Sequence, residues 1–182
     1  MSGLSNITQM AYPGCLSGPA RLDRDQSSDR DWLDSAEVSP NMTRSDFPAP
    51  EQGFVITHFL VVSDMDRSRE FYATLLGGEV LMERSPVIMK VANTWLILNE
   101  GGGPTDDKPD VVLETPPDPH RASAFLNIRV ADIAAVYDDW RRKGAQFLTE
   151  PKDHGREIRA YVRDPDGHLI EEGQSTGMLD EM

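Results

Sequence analysis

The sequence predicts an α+β domain in which two βαβββ modules pair to form curved sheets around a shared cavity, with the helices outside. Three observations carry this. The order strand, helix, three strands occurs twice, and sixty-eight residues separate Asp64 from Asp132, which stand at the same point of the two copies. Glycine stops the predicted helix in each copy, at Gly77 and Gly144. One helix covers one face of half a sheet, so two copies must associate to make a domain. The predicted boundaries are a disordered leader over 1–52, modules over 53–100 and 121–175, a crossover linker over 101–120 and a flexible tail over 176–182.

In the first copy, Phe54 to Val62 reads as a buried strand, and Ser63 or Asp64 can cap the helix that follows. Met65, Phe71, Tyr72, Leu75 and Leu76 give that helix an apolar stripe. Gly77-Gly78 ends it before strands over Glu79–Glu83, Val87–Ala92 and Thr94–Asn99. In the second copy Phe125–Val130 is the first strand and Asp132 the cap. Ile133, Val136, Tyr137 and Trp140 make the stripe, and the later strands are Ala145–Glu150, Ile158–Arg163 and His168–Gly173. The last hairpin turns at Asp164-Pro165-Asp166-Gly167, where proline presets one backbone angle and glycine permits a positive one. Trp95, Phe59, Tyr137 and Trp140 read as core aromatics.

Between the copies the chain runs from Gly101-Gly102-Gly103-Pro104 to Pro116-Pro117-Asp118-Pro119, with room for a short strand at Val111–Leu113. The glycine run lacks the Lys-Ser/Thr of a phosphate loop. The leader is rich in Ser, Asp, Arg and Pro, and its apolar residues keep no period, although Leu22–Ala36 could form one short helix. Its Cys15 is the only cysteine, so neither an internal disulfide nor a multi-cysteine metal site can form.

Hydrophobic residues at 38% suffice for a core. Lys+Arg 18 against Asp+Glu 31 give a formal charge of -13, which repels nucleic acid and an anionic membrane face and leaves a small molecule as the expected partner. No apolar run approaches the roughly 18 to 20 residues of a membrane span, and no signal-peptide pattern opens the chain, so a soluble, cytoplasmic protein is expected.

Thr57-His58-Phe59-Leu60-Val61-Val62, followed by Phe71-Tyr72 and Leu76-Gly77-Gly78, resembles the opening module of the vicinal-oxygen-chelate superfamily of glyoxalase I, bleomycin-resistance proteins and extradiol dioxygenases. Asp164-Pro165-Asp166-Gly167-His168-Leu169-Ile170-Glu171 resembles its closing signature. The resemblance implies a fold that hosts several chemistries. Members that are metal enzymes place one ligand on the first and one on the last strand of each module. Here those positions hold His58 and Leu126 on the first strands, and Ile97 and Glu171 on the last.

Leu and Ile cannot ligate, so the resemblance leaves His58 and Glu171 as expected ligands of a divalent Zn, Ni, Mn or Fe ion. A third ligand must come from elsewhere; the candidates nearby are His154, Glu157, Asn99 and Tyr161, and His154 is taken for that place. Strand alternation puts Leu169 and Gly173 on the face of Glu171, and His168, Ile170 and Glu172 on the other. On the preceding strand Ile158, Ala160 and Val162 pack under the helix, leaving Glu157, Arg159, Tyr161 and Arg163 toward the cavity or its rim. Arg159 is either an anion clamp or a surface arginine paired with Glu150 or Glu157. His120 precedes the second module's first strand and falls outside it.

Two functions remain open. In the first, a metal on His58 and Glu171 serves as Lewis acid in a lyase, isomerase or dioxygenase, with Glu171 or Glu157 moving a proton. In the second, a metal-free cavity, lined by Leu126 and Ile97 at a homodimer interface, sequesters a bulky and often cationic compound. Loss of two ligand positions weighs against an authentic glyoxalase I, and the missing second histidine against an iron dioxygenase.

Overall fold

The structure is a computed structural model whose described residues are 43–177. Cys15, the helix expected over Leu22–Ala36 and the tail beyond residue 177 lie outside them. The elements run β1 (His58–Val62), α1 (Met65–Leu76), β2 (Glu79–Met82), β3 (Val87–Val91), β4 (Thr94–Glu100), β5 (Leu126–Arg129), α2 (Ile133–Arg142), β6 (Lys152–Asp153), β7 (Glu157–Arg163) and β8 (Leu169–Ser175). They build two four-stranded sheets, ordered β1-β4-β3-β2 and β5-β8-β7-β6. In both, the first strand lies parallel to the last and the inner pair is antiparallel. This is the paired-module α+β fold.

Local chemistry sets the helices. Asp64 caps α1, its side chain accepting from Arg67 N at 3.0 Å, and Asp132 caps α2 in the same way from Ala135 N at 3.0 Å. Ser63 is otherwise engaged, donating to Asp166 across the modules. Gly77 ends α1 at φ 67, the left-handed conformation that glycine adopts without a side-chain clash.

Each sheet has a covered and an open face. Leu60 and Val62 on β1, Leu96 and Leu98 on β4, and Val87 and Met89 on β3 are buried register neighbours of sheet one. Ala160, Val162 and Ile170 are their counterparts in sheet two. Leu60, Val62, Tyr72, Leu75, Leu96 and Leu98 of the first module join Trp140, Val162 and Ile170 of the second in one core. Burying each such side chain contributes roughly 1.5 to 3 kcal/mol. The covered faces of both sheets therefore meet, and the open faces look away from the shared core.

Several expected elements differ. Phe54–Thr57 is not strand, and Phe54 and Ile56 are exposed, because β4 pairs with β1 only from His58 onward. Phe59 is not core: it alternates with Leu60 and lies on the open face, 48% exposed. Ala145–Glu150 makes one isolated bridge, Phe147 to Val162, and the fourth place in sheet two goes to Lys152–Asp153. Val111–Leu113 is reduced to the bridge of Gly102 with Leu113. The described residues begin inside the span expected as leader, at Thr43. Arg44–Asp46 forms one 3₁₀ turn closed by Asp46 on the Thr43 amide at 2.8 Å, and Trp95 Nε1 donates to Asp46 O at 2.7 Å.

Candidate functional site

The open face of sheet two holds a polar row across three strands. Asn127 on β5, Glu171 on β8 and Tyr161 on β7 are register partners. Asn127 Nδ2 donates to Glu171 Oε1 and the Tyr161 hydroxyl to Glu171 Oε2, both at 2.5 Å. Glu171 is 5% exposed although it stands on an open face, because its neighbours in the row wall it in. The hydrogen bond to Glu171 holds the Tyr161 phenol above its usual range, with burial adding to the effect, so at neutral pH Tyr161 is a neutral donor. Phe125 packs edge-on against Tyr161 at 6.4 Å between ring centroids.

The next row along is Arg129, Gly173 and Arg159. Arg129 Nη1 lies 3.2 Å from Glu157 Oε2 and 4.0 Å from Glu171 Oε1, and Arg159 Nε lies 3.3 Å from Glu157 Oε1. Asn127 and Arg129 were not singled out from sequence. Their signal was the alternation Leu126-Asn127-Ile128-Arg129, whose apolar members pack on the core and whose polar members must then face outward.

His58 stands elsewhere. It shares the alternation of Leu60 and Val62 and so belongs to the covered side of β1, while Phe59 and Ile97 share the open side. With Leu126, it lines a cavity of about 330 Å³ at the seam of the modules, walled by Glu114–Pro117, Arg121–Phe125 and Gly167–Leu169. Glu171 is not among its lining residues. Burial, with a smaller contribution from His168, holds the His58 imidazole below its usual range. His168 Nε2 donates to Val61 O at 2.7 Å, tying the last hairpin to the outer edge of β1.

The repeat alignment of His58 with Leu126 is sound, but both fall on the covered side and neither shares a face with Glu171. The expected convergence of His58 and Glu171 is therefore corrected by the pleat. His154 is corrected too: it is exposed, its amide donates to Glu157 O, and Glu157 lies four residues along β7 from Tyr161, about 13 Å of strand. Ile97 and Asn99 lie half-buried on the open-face alternation of sheet one, on the other module from Glu171.

The open face of the second βαβββ module thus gathers a carboxylate, a phenol, an amide and two guanidinium groups. Residues 55–171 match the Glyoxalase/Bleomycin resistance protein/Dioxygenase superfamily, and the chain belongs to that family. It is 26% identical over 134 residues to a probable lactoylglutathione lyase of Synechocystis sp., covering 70% of this chain and 99% of that protein. A glyoxalase/bleomycin resistance protein/dioxygenase from Nocardioides shares the fold with TM-score 0.56 and 21% identity, over 71% of this chain and 88% of that one. TnmS3, an antibiotic binding protein from a Streptomyces species, does so with TM-score 0.50 and 20% identity, over 70% and 99%.

The donor set does not fit a divalent metal. Among the described residues no three His, Cys, Asp or Glu side chains are grouped to hold one. Both oxygens of Glu171 accept hydrogen bonds from within its own row, His58 belongs to the other sheet, and His154 lies on an exposed loop before β7. No helix of the described residues is long and apolar enough to cross a membrane.

Proposed function

We propose that this domain binds a small organic molecule on the open face of sheet two, with Glu171 accepting and Tyr161 donating hydrogen bonds, and that it does so without a divalent metal on His58. The observation that carries this reading is the Asn127-Glu171-Tyr161 row: a walled carboxylate, oriented by two donors, with no imidazole on its face. A pre-oriented acceptor beside an aromatic ring suits recognition of a ligand hydroxyl or ammonium. Leu126 packs on the core and takes no part, whereas Ile97 and Asn99 would line the matching face of sheet one.

We further take the binding cavity to be closed by a second copy. What supports this is that β1 and β5 are edge strands and that Phe59 and Phe125 are exposed on or beside them among the described residues. A twofold dimer would set sheet one of one protomer against sheet two of the other. Sedimentation should then give a dimer that Phe59→Asp dissociates.

The deciding experiment is calorimetry of the full chain with Zn, Ni, Mn and Fe(II), beside a thermal-shift screen of small organic compounds. No stoichiometric metal binding tighter than millimolar is expected, and compounds that stabilise the protein should lose their effect in Glu171→Gln. Metal binding abolished by both His58→Ala and Glu171→Ala would restore the reading of a metal-dependent lyase.

A further inference from the structure

The row beside Glu171 has a composition its neighbour does not explain. Gly173 sits between Arg129 on β5 and Arg159 on β7 and contributes no side chain. The guanidinium of Arg129 fills the space instead: a Cβ at position 173 would stand 2.1 Å from its Nη1 and 2.8 Å from its Cζ. Two arginines thus flank bare backbone in a chain of formal charge -13, and one of them lies over it. Both reach the same carboxylate, Arg129 Nη1 at 3.2 Å from one oxygen of Glu157 and Arg159 Nε at 3.3 Å from the other. The Arg159 contact is an ion pair only, for its Nε is buried and makes no hydrogen bond. This charged donor is thus held by Glu157 through electrostatic attraction without a well-aligned hydrogen bond, so an oxygen group that aligns better can take its place.

We propose that Arg129, Gly173 and Arg159 form a seat for an anionic oxygen group of the ligand, a carboxylate or phosphoryl group, and that Glu157 occupies this seat when the ligand is absent. The inference rests on the reading that ligands bind on this face. Planar guanidinium forks match such oxygens, and Glu157 already demonstrates the fit with its own carboxylate. A ligand anion must displace it, so Glu157 acts as an internal competitor that disfavours weakly held anions. The Glu171 row lies two residues along β8, about 7 Å away. The favoured ligand therefore carries an anionic group at one end and a hydrogen-bond donor at the other. Bulk acidity, which suggests a cationic compound, does not describe this patch.

The test is NMR titration of the full chain at low ionic strength with two probes, para-fluorobenzoate and inorganic phosphate, the fold of each variant being checked by circular dichroism. At least one probe should bind saturably, about tenfold more weakly in Arg129→Ala and in Arg159→Ala, where a charge-assisted hydrogen bond is lost. Gly173→Ala keeps every charge but displaces the Arg129 guanidinium, and should weaken the probe as well. Glu157→Gln removes the competitor and should tighten it, which keeps the proposal open to refutation should the arginine variants misfold. Arg142→Ala, on α2, should leave binding unchanged. The proposal is overturned if neither probe binds the wild type or Glu157→Gln, if Glu157→Gln fails to tighten binding, or if Arg142→Ala weakens it as much as Arg129→Ala. If the seat fails while organic ligands still depend on Glu171, this inference alone is lost; if both fail, the shared face is not the binding face.

Discussion

The Tyr72 hydroxyl donates to Asp164 Oδ2 at 2.9 Å, joining the helix of the first module to the last hairpin of the second. Tyr72 is fully buried and Asp164 is 4% exposed. The other Asp164 oxygen accepts from the amides of Asp166 at 3.0 Å and His168 at 2.8 Å, so one carboxylate both shapes the turn and holds it to α1. Asp166 repeats the link from the next position, accepting from Arg67 Nη2 at 2.8 Å and Ser68 Oγ at 3.2 Å. Burial drives the Tyr72 phenol well above its usual range and raises Asp164.

Tyr72→Phe is expected to lower stability by about 1 to 3 kcal/mol, because it leaves Asp164 Oδ2 buried without its donor while keeping the ring. Urea denaturation measures this. A loss within experimental error would mean that the modules are held by apolar packing alone.

Trp140→Ala should cost about 3 to 5 kcal/mol. The indole is 6% exposed in the common core and stacks on Phe147 at 6.4 Å. A change below about 1 kcal/mol in the same assay would show that α2 is not anchored through this residue.

Glu172 should make the protein less stable as pH rises. It is fully buried, neither of its oxygens has a hydrogen-bond partner among the described residues, and burial pushes its carboxyl up to about 7 from 4.5. Below the lower value it is protonated folded and unfolded alike, and its stabilising difference is intact. As pH climbs through the folded value, unfolding releases the proton and roughly 2 to 4 kcal/mol is lost. Thermal melts of wild type and Glu172→Leu at pH 5 and pH 8 check this: the variant should gain more at pH 8, and equal gains at both would refute it.

A chain starting at Met42 retains the turn that Trp95 grips, whereas one starting at Glu51 loses Asp46 and with it the acceptor for Trp95 Nε1. The second truncation should therefore melt lower, by about 1 kcal/mol of stability, the usual worth of one such hydrogen bond. Identical melting of the two would show that the turn rests on the domain without supporting it.

The repeat was legible because capping and stopping are local events: Asp64, Asp132 and Gly77 act on amides or angles within a few residues of themselves. Strand edges were less legible, since Phe54–Thr57 has the composition of a strand but no neighbour to pair with. At the site, alternation along β8 sets Glu171 and Glu172 on opposite sides of the sheet, a local property of the pleat. Whether His58 shares that side was not local. It depends on which face of β1 packs on the core, and Leu60 and Val62 decide this by burying themselves with Leu96 and Leu98. By itself, then, the sequence determined the two modules, their helices and the turn signature, all fixed by short-range hydrogen bonding and periodicity. Only the tertiary structure decided that His58 and Glu171 belong to different sheets and that Arg129 and Arg159 flank Gly173. Those relations are set by register between strands far apart in the chain, where a shift of one residue turns every side chain to the other face.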